Sequence, residues 1–230
     1  MRENGAELDL AAVCDLNEER ADEYRRAFGF RAAFVDMHAM VKSVAPEAIM
    51  VMTPASLNAP VTMELLAYGI PLLVEKPPGR DEQETRALAE AAARRQVPIM
   101  VSFDRRFNPA MQGAKRWIAH NRAAVEYLEA TMLRNSRTEP AFPMETGIHL
   151  LDAVHYLVGA TTRVDPRAIC PDGRPASFVG FLRSESGVLS RYSIVPACGF
   201  EAETYTIYGA DFTAFVDRMN REAARLGMTN

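Results

Sequence analysis

A lysine at a strand end and a histidine on a later helix are the side chains of this chain best placed for acid–base chemistry. Lys76 follows an apolar run at 70–74 that predicts a buried strand, and Pro77 ends that strand. Open α/β sheets bind their ligands at the carboxyl ends of strands, where a lysine stabilises negative charge developing on a substrate oxygen. His149 lies four residues after Glu145, a spacing that brings both to one helix face. We predict that Lys76 and His149 converge on a substrate hydroxyl.

Asp152, three residues after His149, adds a second acid to this cluster. Its carboxylate is a candidate to orient the His149 ring and to fix its tautomer. Two other interpretations remain open: Lys76 as a surface lysine, and His149 as a helix-capping residue beside a solvated aspartate. A metal site formed by Glu145, His149 and Asp152 is a further alternative, but such helical sets arise by chance, so we assign no metal ligands.

Three further segments end predicted strands and are candidates for binding a ligand. Asp15 stands where dinucleotide-binding folds hydrogen-bond a ribose 2′-hydroxyl, and it is equally suited to cap the helix that follows. Thr53 and Pro54 end another strand and are placed to approach a bound cofactor. Arg105 and Arg106 end the last strand of the first half, where they would bind a phosphate or a sugar hydroxyl unless they are a solvated pair.

The elements that position these residues alternate between strands and helices in the first half of the chain. Apolar runs predict five strands, at 8–14, 31–35, 47–52, 71–74 and 97–103. The intervening segments predict four helices, at 17–28, 38–44, 60–68 and 81–95. Such alternation implies βαβ units and hence a parallel sheet.

The pattern changes after residue 107 to that of an α+β domain. Helices are predicted at 110–119 and 147–157, and strands at 125–133, 177–183, 188–194 and 205–208. Gly187 lies in the short link between two of these strands and predicts a hairpin. We therefore predict two domains, residues 1–107 with the parallel sheet and residues 108–230 with an open antiparallel sheet.

Charge and cysteine content argue against several classes of protein. The net charge of −4 gives no reason to expect nucleic acid or an anionic membrane as a partner. No apolar stretch approaches the roughly 20 residues that span a bilayer, and we expect no signal peptide. Cys14, Cys170 and Cys198 are far apart and odd in number, so we expect no disulfide framework or zinc site and a cytoplasmic location.

Taken in order, these motifs resemble those of the Gfo/Idh/MocA oxidoreductases, which use NAD or NADP on sugars, inositols and related polyols. The matching segments are AAVCD at 11–15, TPASLNA at 53–59 (family TPxxxHA), EKP at 75–77, FDRRFNP at 103–109 (family FNRRFNP) and ETGIH at 145–149 (family DxGxH). The resemblance implies that Lys76, His149 and Glu145 are the catalytic residues. It implies cofactor contacts from Asp15, Thr53, Pro54, Asn58, Glu75 and Lys76. For substrate binding we assign Arg106 and Asp152.

This chain departs from the family pattern at three points. Glu145 replaces the usual aspartate, and Asn58 replaces a frequent histidine. The family opens with a strand, a glycine-rich turn and a helix, whereas this chain begins just before its counterpart of the second strand. We therefore expect a truncated Rossmann-like parallel sheet and weak binding of NAD or NADP, because the donors for the pyrophosphate are missing.

Two hypotheses about function follow. The first is an NAD(P)-dependent oxidoreductase that transfers a hydride to or from a sugar, inositol or related polyol, with His149 as general base. The second is a truncated, non-catalytic relic that acts as a binding or subunit-interaction protein. Under either hypothesis Phe178, Leu189 and Tyr205 suggest that one sheet face pairs between subunits, which predicts a homodimer or tetramer.

Overall fold

Two separate sheet systems follow one another along the chain. The computed structural model describes residues 8–120, 124–170, 176–217 and 224–228. Up to residue 107 short parallel strands alternate with helices, and the later strands form one large mixed sheet. In the described ranges no helix is long and apolar enough to cross a membrane.

The first system consists of two groups of parallel strands. The strands are β1 (Ala12–Cys14) and β2 (Ala32–Phe34) in one group and β3 (Ile49–Val51), β4 (Leu72–Val74) and β5 (Ile99–Val101) in the other. The helices are α1 (Glu18–Phe28), α2 (Met37–Val44), α3 (Ala55–Leu65) and α4 (Glu82–Arg95). The predicted parallel arrangement is confirmed. In a complete dinucleotide fold of order 3-2-1-4-5-6 these groups correspond to 3-2 and 4-5-6, and no described residue forms the strand between them.

Capping residues explain where the helices begin and end. Asn17 accepts a hydrogen bond from a backbone N–H of the first turn of α1 at 3.0 Å, and Gly29 ends that helix with a φ of 79°. Helix α3 differs from the prediction, because it begins at Ala55 and holds Pro60 inside it. The proline removes one intrahelical hydrogen bond to Ser56, which is exposed, so water can satisfy that carbonyl.

The second system is a seven-stranded sheet. Its strands are β6 (Val125–Leu133), β7 (Thr161–Ile169), β8 (Ser177–Ser184), β9 (Leu189–Val195), β10 (Ala202–Gly209), β11 (Phe212–Asp217) and β12 (Ala224–Met228). They lie in the order β12-β11-β10-β6-β9-β8-β7, and β8 and β9 form the predicted hairpin. The predicted antiparallel pairing is present between the other neighbouring strands, but β6 pairs in parallel with β9, so the sheet is mixed. Strand β7 escaped prediction because it is exposed along its length and holds Pro166, as edge strands tolerate.

One face of this sheet is covered by two helices, α5 (Pro109–His120) and α6 (Ile148–Val158), and forms the larger core. Tyr205 is fully buried in that core, and Phe178 packs against it. Both residues had been expected on the subunit-facing side, so that expectation was wrong. Side chains along a strand point alternately to the two faces of the sheet, and Tyr205 lies on the same buried face as Ile207. Leu189 lies between the buried Val188 and Ser190 and is only partly buried.

Candidate functional site

A buried asparagine holds the backbone on both sides of Lys76. The Asn58 amide nitrogen donates hydrogen bonds to the carbonyls of Glu75 at 3.1 Å and Pro77 at 2.8 Å. Its amide oxygen accepts a hydrogen bond from Thr53 Oγ1 at 2.7 Å. Asn58 is fully buried, so it supports the segment that carries Lys76, whereas the resemblance implied a cofactor contact. Lys76 thus leaves the end of β4 from a backbone held on either side.

The Lys76 side chain reaches the turn that precedes α6. Its Nζ donates a hydrogen bond to the backbone carbonyl of Glu145 at 2.5 Å. This carbonyl belongs to a π-helical turn at Pro143–Gly147, a local form that recurs at functional sites. The resemblance implied a catalytic role for Glu145, and Glu145 contacts Lys76 through its main chain. The lysine therefore lies at the start of the helix that carries His149.

His149 is buried in the first turn of α6, against the segment that follows β5. Only 6% of its surface is exposed, and its ring forms a T-shaped contact with Phe103, with 6.2 Å between centroids and 89° between planes. Its Nδ1 lies 3.4 Å from Asp104 Oδ1. The same carboxylate oxygen accepts a hydrogen bond from Arg105 Nη1 at 2.6 Å. Asp104 therefore stands between the histidine and a buried guanidinium.

The pair predicted to bind substrate is brought together as a salt bridge. Arg106 donates to both carboxylate oxygens of Asp152, from Nε at 2.9 Å and from Nη2 at 2.5 Å. The guanidinium also lies over the rings of Phe103 and Tyr156, at 5.8 and 5.9 Å from their centroids. Asp152 is therefore engaged by Arg106 through a bidentate pair, and the carboxylate that lies beside the His149 ring is that of Asp104.

The surroundings of His149 keep its ring uncharged at neutral pH. Burial is the largest cause, and with the positive charges of Arg105 and Lys76 it lowers the pKa of His149 to about 4. The negative charges of Asp104 and Glu203 oppose this effect without cancelling it. An uncharged imidazole retains a lone pair, so His149 is ready to accept a proton.

A buried ion network that the sequence analysis missed supports this site. Glu203 on β10 is fully buried and accepts hydrogen bonds from Arg105 Nε at 3.0 Å and Nη2 at 3.1 Å. It also accepts from Arg134 Nη2 and from the Tyr205 hydroxyl. Buried charges persist only when they are paired in this way. The available signal was the inward phase that Glu203 shares with Tyr205 and Ile207 along β10.

Asp15 lies at the carboxyl end of β1 and is already engaged by its own helix. Its carboxylate accepts from the Asn17 N–H at 2.8 Å and from Arg20 Nε and Nη2 at 2.6 and 2.7 Å. The hydrogen bond from Arg20 is the main reason that the pKa of Asp15 is lowered. Asn17, not Asp15, is the N-cap of α1. Pro54 is exposed and precedes α3 directly.

The known proteins that this chain resembles are oxidoreductases. Residues 1–103 match the Gfo/Idh/MocA model, described as an oxidoreductase family with an NAD-binding Rossmann fold. The chain is 29% identical over 206 residues to inositol 2-dehydrogenase 4 of Saccharopolyspora erythraea, covering 83% of this chain and 60% of that protein. It is 32% identical over 163 residues to UDP-N-acetylglucosamine 3-dehydrogenase of Acidithiobacillus ferrooxidans, covering 70% and 50% respectively.

A solved structure extends the likeness through both sheet systems. Levoglucosan dehydrogenase in complex with NADH and levoglucosan superposes with a TM-score of 0.85 at 19% identity, covering 95% of this chain and 66% of that one. This likeness shows the fold. The chain spans 60% and 50% of the two curated relatives named above. On the match of residues 1–103 and on relatives that align into its second half, this chain is similar to the oxidoreductases of the Gfo/Idh/MocA family.

Proposed function

We propose that this chain carries the catalytic residues of an NAD(P)-dependent dehydrogenase acting on a hydroxyl of a sugar, inositol or related polyol. The observation that carries the proposal is the contact of Lys76 with the turn before α6, at the start of the helix that carries a buried, uncharged His149. The names of the relatives, an inositol 2-dehydrogenase and a UDP-N-acetylglucosamine 3-dehydrogenase, support the substrate class.

Each of these side chains has a distinct task in the proposed reaction. His149 accepts the proton of the substrate hydroxyl as general base. Lys76 stabilises the negative charge on the same oxygen, and Glu145 takes part by holding the lysine through its carbonyl. Arg106, which is partly exposed beside Asp152, offers its outer edge to another substrate hydroxyl. A bound nicotinamide cofactor would supply the hydride acceptor for the substrate carbon.

Residues at the strand ends fit two parts of the cofactor. Asp15 at the end of β1 has the position and the acceptor oxygens to bind ribose hydroxyls. Thr53, Pro54, Glu75 and Lys76, which follow β3 and β4, would lie on the nicotinamide side. The sequence contains no Gly-x-Gly-x-x-Gly, so this chain supplies no such cradle for the pyrophosphate.

Turnover by matched variants tests the proposal. The chain is assayed with NAD and with NADP on a panel of inositols and sugars, and Lys76→Ala and His149→Ala should each lower kcat more than they raise KM. Lys42→Ala, on α2, and His155→Ala, on the exposed side of α6, are matched controls and should leave turnover unchanged. Equal turnover in the two site variants and the two controls would refute the catalytic roles.

A second candidate is a binding or subunit-interaction protein without catalytic activity. It is favoured by the two unconnected groups of parallel strands in the described residues. The mixed sheet exposes Val164, Ile169 and Phe181, which supports a homodimer or tetramer through that sheet. Light scattering at micromolar concentration tests the assembly, and a monomer would contradict it. Because the three cysteines are free thiols, we also propose a reducing, cytoplasmic location.

A further inference from the structure

We propose that Asp104 is a positioning residue, which holds His149 in the tautomer that carries its proton on Nδ1 and so leaves Nε2 to accept the substrate proton. The inference rests on the proposed function for its catalytic meaning, but its geometry is independent of the substrate. Helical spacing suggested Asp152 for this task, but Asp152 is paired with Arg106.

The first support is the place of Asp104 relative to the ring. His149 Nδ1 is buried and forms no hydrogen bond with the described residues as the ring now stands, while Asp104 Oδ1 is 3.4 Å away. A buried ring nitrogen without a partner is unfavourable, and a small rotation of either side chain would bring Nδ1–H and the carboxylate to hydrogen-bond distance. A neutral histidine that donates from Nδ1 has its lone pair on Nε2.

The second support is that Arg105 fixes the position of the Asp104 carboxylate. Asp104 itself is exposed, with 53% of its side chain accessible, so burial does not fix its position. Arg105 Nη1 donates to the oxygen that faces His149, and the other guanidinium nitrogens of Arg105 are bound to the buried Glu203. Glu203 on the large sheet thus fixes Arg105, and Arg105 in turn fixes the Asp104 carboxylate beside the His149 ring.

The third support is electrostatic. Four charged groups act on His149: Lys76 and Arg105 disfavour its protonated form, and Asp104 and Glu203 favour it. Asp104 is the carboxylate that lies within ion-pair distance of the ring. Proton uptake during catalysis places a positive charge on the imidazole, and an adjacent carboxylate stabilises that charge. The motif that this chain resembles, FNRRFNP, has asparagine at this position, so the charge is a feature of this chain.

Nitrogen NMR of the cofactor-free chain at pH 7 tests the inference without any need for turnover. The chain has four histidines, and ¹⁵N shifts distinguish the two neutral tautomers at each ring. We expect His149 to be mainly Nδ1-protonated. Asp104→Ala should change the tautomer ratio toward Nε2–H by about tenfold, as expected for one lost hydrogen bond to a charged group. Asp104→Asn keeps the size and one acceptor oxygen without the charge, so it should have a smaller effect in the same direction.

Two comparisons make the result decisive. Asp152→Asn should leave the His149 tautomer unchanged, and the signals of His38, which is bonded to Tyr68 and Glu64, report whether each variant is folded. An Nε2-protonated His149 in the parent chain, or an unchanged ratio in folded Asp104→Ala and Asp104→Asn, would overturn the assignment. Either outcome leaves the proposed dehydrogenase standing, because that function fails only if Lys76→Ala and His149→Ala retain turnover.

Discussion

Replacing Glu203 by glutamine should destabilise the second half of the molecule more than any surface change. The carboxylate accepts four hydrogen bonds in a fully buried site, from Arg105 twice, from Arg134 and from Tyr205. In Glu203→Gln one oxygen becomes an NH₂ group, which donates and therefore opposes the guanidinium groups. Removing one partner from a buried ion network costs about 3–5 kcal/mol, because the remaining charges stay buried without compensation.

Urea unfolding followed by circular dichroism measures this loss as a change in the free energy of unfolding. In a chain of this size about 3–5 kcal/mol corresponds to a midpoint of thermal unfolding lower by roughly 10 °C. Glu129→Gln is the matched control, because Glu129 lies on the neighbouring strand β6, is 34% exposed and faces Arg191 at 3.7 Å. Glu129→Gln should lower the free energy of unfolding by less than about 1 kcal/mol. Similar losses in the two variants would refute the view that burial makes the Glu203 network strong.

Three further predictions concern proton and cofactor binding. The pKa of His149 is about 4 in the folded chain against 6.5 ordinarily, so the unfolded state binds its proton first as the pH falls. The free energy of unfolding should therefore fall by at most about 3 kcal/mol between pH 6.5 and 4. Urea unfolding of His149→Gln over the same pH range should not show this loss. Asp15→Ala should raise the affinity for NADPH relative to NADH by about tenfold in calorimetric titration, because Arg20 is released to meet the 2′-phosphate. These 230 residues alone should bind either cofactor weakly, and a dissociation constant in the low micromolar range would contradict the importance given to the missing glycine motif.

Local signals were sufficient for the first sheet system. Caps at Asn17 and Gly29 and apolar runs of strand length depend on neighbours in sequence, and the elements they predicted are present. These local patterns gave incomplete predictions where pairing with a segment distant in sequence determines the structure. Strand β6 pairs in parallel with β9 across a long stretch of chain, and no local pattern encodes that choice. Pro60 predicted a helix start, but the segment after Pro54 was already able to begin the helix.

The candidate site shows the same division between local and distant causes. Helical spacing placed Asp152 on the same face as His149, and spacing alone gave no reason to prefer another acid. The guanidinium that binds Asp152 comes from the segment after β5, and so does Asp104, the acid that lies beside the ring. The segment after β5 therefore binds Asp152, the predicted partner of His149, and also supplies Asp104, the acid beside the ring. Because Asp104 and Arg106 lie only two positions apart, a change in the backbone of this segment should disturb His149 and the Arg106–Asp152 ion pair together.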